Sequence, residues 1–312
     1  MNTQIKSILD IHADDYGISQ HSCDNILTLL DKNCLNSLSI LPNMQCFNYA
    51  VQKLKEYQQN KPQNTPHISI HLNFMEGRCC APITSVPDLV DKEGFFKISW
   101  GKLLLWNYNP CMRSRIMHQL EAEIMAQTRR CLEAGIISAN DLHFDSHQHT
   151  HMIPLVFRAL CNVCSTLQAE GNKTTFIRNT QDPLLPYCLT LGGGITPSLS
   201  NVIKCLILNF YSAVLIRKQL KKAGRPLSYL CGVFFSGHMD YDRLIRVLPR
   251  YCSRAHRQNR TVELLFHPGT VLQTEISREF VKPDFNTFHL SQNRKTEYDS
   301  IIQINEYLQE KQ

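Results

Sequence analysis

Two aspartates stand side by side at the end of an apolar run: Asp14 and Asp15, in "SILDIHADDYG". Adjacent carboxylates resist joint ionisation unless a cation or a shared proton relieves them. Groups that could serve with them lie far along the chain. His71 sits in "SIHLNF", "HFDSHQHTH" carries His143, Asp145, His147, His149 and His151, Arg178 falls in "FIRNT", and His267 closes "LLFHPG". Two imidazoles and one carboxylate make a common facial site for a divalent cation with open positions. Such a cation accounts for both aspartates: one binds it and stays ionised, while the other takes a proton from a water the cation acidifies. Singly, each group has a plainer reading. The Asp pair could cap a helix, His71 could be a satisfied core histidine, Arg178 an ion-pair residue and His267 a turn residue. Their recurrence at the ends of apolar runs is what points to a site.

Those runs are the elements that must position the chemistry. "KSILDIHA", "LNSLSILP", "HISIHLNF", "DLHFDSH", "TTFIRN", "GVFFSG" and "TVELLFH" read as buried strands. Helical patterns separate them, among them "SRIMHQLEAEIMAQTRRCLEAG" and "LVFRALCNVCSTLQAEG", each ending in a glycine stop. Alternating strands and helices predict an α/β fold, a TIM-like (β/α) barrel of about seven parallel strands. The expectation is a single domain over 1–312 with loop insertions. Two insertions, "MEGRCCAPITSVPDLVDKEGFFKISW" and "QDPLLPYCLTLGGGITPSLS", follow strands and could shape a substrate groove. Parity selects among the histidines. His143, His147, His149 and His151 would share one face of an extended strand, with successive members about 6–7 Å apart. Three in a row cannot reach one small ion whose ligand bonds are about 2.0–2.2 Å, so His147, nearest the strand end, is the best ligand.

Composition narrows the classes. Apolar residues make up 43% and charged residues 19%, ordinary for a globular chain, and the net charge is +6. The main basic cluster, "RKQLKKAGR", has few aromatics around it, so no nucleic-acid partner is expected. Thirteen cysteines without the paired CxxC of a zinc ribbon argue for a reducing compartment, and "MNTQIKSILD" lacks an apolar leader; a cytoplasmic location is expected. The apolar stretch from Cys205 to Ile216 reads as too short to span a bilayer. Its simplest reading is a core helix whose basic end complements the dipole; peripheral membrane contact is the alternative.

Four motifs in order, "HADDYGIS", "SIHLNFMEG", "HFDSHQHTHMIP" and "ELLFHPG", resemble the YdjC-like carbohydrate deacetylases, which include the chitooligosaccharide deacetylases. "GRPLSYLCGVFFSGHMDYDRLIRVLP" is similar to the branch linked to hopanoid biosynthesis. The resemblance implies a TIM-like barrel and a hydrolase that removes the acetyl group of an N-acetylated sugar with a divalent metal ion, Mg²⁺ first and Zn²⁺ second. It implies that Asp15, His71 and His147 hold the metal, that Asp14 is the general base and that His267 is the general acid. Arg178, His149 and His151 are expected at the substrate. His12 stands where the family often has Asn. An amidohydrolase-type barrel would carry its HxH after the first strand, where this chain has Asp-Asp. A non-catalytic sugar- or lipid-binding barrel would need neither Asp14 nor His267. A homodimer is compatible with the sequence, which does not specify one.

Overall fold

The computed structural model describes residues 8–189, 197–222, 224, 227–280 and 287–310. Seven strands form one all-parallel sheet: β1 (Leu9–Tyr16), β2 (Ser37–Ile40), β3 (His67–Leu72), β4 (Leu142–Ser146), β5 (Thr174–Ile177), β6 (Ser228–Cys231) and β7 (Thr261–Phe266). Their spatial order is β5-β4-β3-β2-β1-β7-β6, so β2 is central, β1 lies beside it, and β5 and β6 are the edges. Crossover helices are α1 (Gln20–Asp31), α2 (Phe47–Asn60), α3 (Trp100–Tyr108), α4 (Pro110–Glu133) and α5 (Pro154–Ala169). They are followed by α6 (Leu185–Cys188), α7 (Leu199–Tyr211), α8 (Arg217–Lys222), α9 (Tyr241–Arg257) and α10 (Gln292–Glu310).

The strands are apolar because helices cover one side of the sheet and its curl encloses the other. Ile11, Ala13, Leu38, Ile40, Ile70, Leu72, Phe144 and Leu264 are all buried. Local signals set the helix ends. Ser19 caps α1 through the Ser22 amide, Asn109 caps α4 ahead of Pro110, and Gly135 and Gly171 end α4 and α5 at positive φ.

The sheet curls toward closure without completing the ladder. Between its edges runs one backbone bond past the end of β5, from Leu230 N–H to Gln181 C=O (3.0 Å). Beside it, Asp182 accepts the N–H groups of Val233 and Phe234 (3.0 Å each) and the Tyr251 hydroxyl (2.6 Å). This corrects the sixth strand. The expected "GVFFSG" is a turn, and the strand is the preceding Ser228–Cys231. A carboxylate, rather than a neighbouring strand, receives those amides. At Gly232 a Cβ would lie 2.7 Å from Leu265 Cβ, so only glycine lets β6 leave so close to β7.

The apolar segment also differs from expectation. Cys205–Ile216 lies within a continuous helix, Leu199–Lys221, joined through a π-helical turn at Ser212–Ile216. Its 23 residues, at mean hydropathy 1.7 over the most apolar window, are long and apolar enough to cross a membrane by length and composition. Only 28% of that window is buried, so it is not a core helix. Of the second insertion, residues 190–196 lie outside the described residues. The first folds back on itself through bridges between Arg78 and Phe95 and between Val90 and Phe96, and delivers Trp100 to the start of α3.

Candidate active site

Strand β1 places its two aspartates by breaking its own regularity. The pairing with β2 shifts register between Ala13 and Tyr16, and Asp15 adopts φ +66°, a left-handed conformation that Asp tolerates better than most residues. In a regular strand the two carboxylates would point to opposite faces. Here both reach the C-terminal end of the sheet, with different partners.

Asp14 is held by a guanidinium. Arg178 donates to both its oxygens, Nη1 to Oδ2 at 3.0 Å and Nη2 to Oδ1 at 2.8 Å. The same guanidinium is in ion-pair contact with Asp145 and Glu263. His12 joins the cluster, its Nε2 3.1 Å from Asp14 Oδ1 and its ring bonded to Ser37 and Ser39. Burial alone would raise the Asp14 pKa; Arg178, then His71 and His12, outweigh it and hold the carboxyl well below the usual range. Glu263, also fully buried, is pushed up by burial despite Arg178.

Asp15 is held mainly by imidazoles. Its Oδ1 lies 3.0 Å from His147 Nδ1 and 3.6 Å from His71 Nε2, and Arg294 reaches Oδ2 at 3.2 Å. Each histidine is braced from behind. His71 Nδ1 donates to Asp145 Oδ1 at 2.7 Å, and His147 Nε2 lies 3.3 Å from Glu76 Oε2. Glu76 in turn takes His289 Nε2 at 3.0 Å. Burial opposes charge on the two rings. Asp14 and Asp145 nevertheless lift His71 to about 10, and Asp15 and Glu76 lift His147 to about 9. Against the same burial, His147 and His289 draw Glu76 down to about 2.

Asp15, His71 and His147 each offer one ligand atom, and these lie within 4.8 Å of one another. The donor set fits a divalent cation. One carboxylate oxygen and two imidazole nitrogens converge, and the outer nitrogen of each ring is turned to a carboxylate, the arrangement that fixes the tautomer of a metal-binding histidine. Glu76, His147 and His289 form an overlapping group that could also hold an ion, as could His12, Asp14 and Asp145.

A cavity of about 600 Å³ reaches these groups at Asp14, His147 and His289, and is lined further by His149 and His267 with Trp100 and Lys204. His149 reaches it because Gln148 and His149 both take positive φ in the turn after β4. His267 donates its backbone N–H to Glu297 Oε2 at 2.6 Å, and its Nδ1 lies 3.6 Å from the same oxygen. Two residues expected at the substrate are elsewhere. Arg178 is fully buried and committed to carboxylates. His151 is equally buried, between the Ser146 hydroxyl (2.6 Å) and the Arg178 carbonyl (3.0 Å). His143, at the other end of β4, pairs with Asp141 and stacks on His67. Glu76, Glu263, His289, Arg294 and Lys204 were not singled out from the sequence.

Fold and site define a family of metal-site (β/α) proteins, and comparison gives it a name. The YdjC-like protein family model matches residues 8–305, and the chain belongs to that family. Several curated relatives are named carbohydrate deacetylase. One from Halalkalibacterium halodurans is 29% identical over 155 residues, 48% of this chain and 58% of that protein. One from Brevibacillus brevis is 30% identical over 47% of this chain and 52% of its own length, and one from Danio rerio 27% identical over 59% and 53%. The chain thus spans little more than half the length of the curated relatives it matches. A crystal structure of an Enterococcus faecalis V583 protein, described as a putative cellobiose-phosphate cleavage protein, superposes with a TM-score of 0.57 at 17% identity over 94% of each chain, a likeness of fold.

Proposed function

We propose that this protein is a divalent-cation-dependent hydrolase that removes the acetyl group from an N-acetylated carbohydrate. The observation that carries this reading is the convergence of Asp15, His71 and His147, each imidazole backed by a carboxylate, with His147 lining a cavity that Asp14 and His267 also line. Membership of the YdjC-like family and relatives named carbohydrate deacetylase supply the substrate class. A cytoplasmic location remains part of the proposal.

Asp15, His71 and His147 would hold the cation, Mg²⁺ or Zn²⁺. When bound, the cation supplies a Lewis acid for the acetamide carbonyl and lowers the pKa of a water near it. Asp14 lines the cavity and is the base that takes a proton as water adds to the carbonyl carbon. Arg178 keeps that carboxylate ionised and aimed, at the expense of basicity. His267 is the acid: it gives a proton to the amine nitrogen as the carbon–nitrogen bond breaks, leaving acetate and a free amino sugar. His149 lines the same cavity and is proposed to contact the sugar.

The test is acetate release from N-acetylglucosamine-containing oligosaccharides with and without chelator. Chelation is expected to abolish release and a divalent ion to restore it. Asp14→Asn should keep the metal and lose roughly 10²–10⁴ in turnover, whereas Asp15→Asn should lose metal and turnover together. Full activity in a rigorously metal-free sample, or equal metal loss in the two variants, contradicts the assignment.

A further inference from the structure

The helix Leu199–Lys221 carries two faces with different fates. One is fastened to the barrel. Cys205, Leu208, Tyr211, Ile216 and Leu220 are buried. Asn209 bonds both the N–H and the carbonyl of Asp182 (2.9 and 2.7 Å), Ser212 donates to Asn179 (2.6 Å), and Asn201 donates to the Ser236 carbonyl (2.9 Å). A helix so tied cannot leave to cross a bilayer without stranding those groups. The other face is bare. Leu199, Ile203, Leu206, Phe210 and Val214 follow steps of three and four residues, which puts them on one stripe, and each is between 50% and 75% exposed. On α3, Leu105 and Tyr108 are also about 70% exposed, and the Tyr108 hydroxyl lies 3.4 Å from that of Tyr211.

The chain segment that carries the stripe is of one sign. No carboxylate residue occurs between Asp182 and Asp240, whereas that segment holds Lys204, Arg217, Lys218, Lys221, Lys222 and Arg225. Burial lowers the Arg260 pKa, and Arg217 and Arg254 lie near enough to lower it further. The stripe thus runs from the cavity, which Ser200, Ile203, Lys204 and Ile207 help to line, to a basic cluster at the helix's far end.

We infer that this face docks on a lipid bilayer that carries anionic headgroups, with the helix lying in the interface. An apolar stripe with a cationic end, attached to the protein by its opposite face, matches a surface that is apolar below and negative above. A second protein would have to offer both a long apolar groove and a matching acidic patch. The cavity beside Ile203 and Lys204 would then open close to the lipid surface. The inference concerns the surface and stands independently of the reaction proposed above.

Co-sedimentation of the full chain with phosphatidylglycerol vesicles and with phosphatidylcholine vesicles tests it. Binding is expected to the anionic vesicles and to weaken in high salt. The double variant Leu206→Glu, Phe210→Glu should lose binding while keeping the wild-type melting curve, because both side chains point away from the core. Lys218→Gln with Lys221→Gln should weaken it by roughly tenfold. Failure to bind anionic vesicles overturns the inference. So does a dimer in light scattering that Leu206→Glu, Phe210→Glu dissociates, because a second copy would then be the occupant. If the double variant binds vesicles as tightly as the wild type, this stripe is not the docking face.

Discussion

The two aspartates at the end of β1 are neighbours in sequence and opposites in surroundings. Asp14 faces a cation that never leaves: Arg178 is fully buried, bonds both its oxygens and touches two further carboxylates. Asp15 has one guanidinium, Arg294, on one oxygen and two imidazoles on the other, and the charge of the imidazoles depends on a proton that can be exchanged for something else. The same problem, a carboxylate removed from water, is thus solved once mainly by a permanent partner and once mainly by titratable ones. A permanent partner makes a fixed, oriented carboxylate; a titratable partner makes a place that a metal ion can enter.

The contrast is broken most severely by removing the permanent cation. Arg178→Met leaves Asp14, Asp145 and Glu263 buried without it, and loss of one member of a buried ion cluster costs about 3–5 kcal/mol. Urea unfolding should show that loss, while the folded fraction still takes up a divalent ion. If metal uptake vanishes with stability unchanged, Arg178 belongs to the metal side and the division fails.

A smaller effect is expected on the titratable side. Glu76→Gln keeps the shape but removes the charge behind His147, and such outer partners are worth about 10–100-fold in metal affinity. Calorimetric titration with Zn²⁺ should show the weakening. Unaltered affinity would mean that Glu76 does not orient the ring.

The gentlest probe is pH. His71 and His147 are raised above the ordinary value of 6.5, to about 10 and about 9. The stability their ion pairs give the metal-free protein is therefore fully present below pH 6.5 and is lost as pH rises through about 9 to 10. The same protons oppose a cation, so divalent-ion affinity should climb between pH 7 and 9, by at most about tenfold per unit for each proton displaced. Arg178 does not titrate in that window, so its pairs with Asp14 add nothing to the slope, and Asp14 enters only through the charge it sets against His71. A flat affinity across pH 7–9 would show that the imidazoles are already neutral.

Much of the fold was legible because parallel strands buried on both faces leave long apolar runs, and six of the seven expected strands fall where such runs occur. The sixth was displaced because "GVFF" is apolar for another reason: Val233, Phe234 and Phe235 pack in a turn whose amides are taken by Asp182. In the site, Asp14, Asp15, His71, His147 and His267 could be singled out because each stands in or at the end of such a run. Arg178 and His151 could be read as important but not placed, since nothing in "FIRNT" or "HTH" tells a side chain aimed at a cavity from one aimed at the barrel interior. Glu263 had a faint signal, a lone acid inside "TVELLF". His289 and Arg294 had none: they come from the end of the chain, and only the tertiary fold brings Arg294 to Asp15, 279 residues away.

The left-handed turn at Asp15 has a consequence for which sequences can occupy that position. Two independent filters act on one residue. The backbone at φ +66° admits glycine, asparagine or aspartate with little strain and disfavours most other side chains, glutamate among them. The imidazoles and Arg294 opposite favour an anion. Aspartate is the residue that suits both. At Asp14 the strand is extended enough for many residues and only the charge is selective. The second aspartate is therefore the less replaceable of the pair, even though both carry the same charge and stand one bond apart.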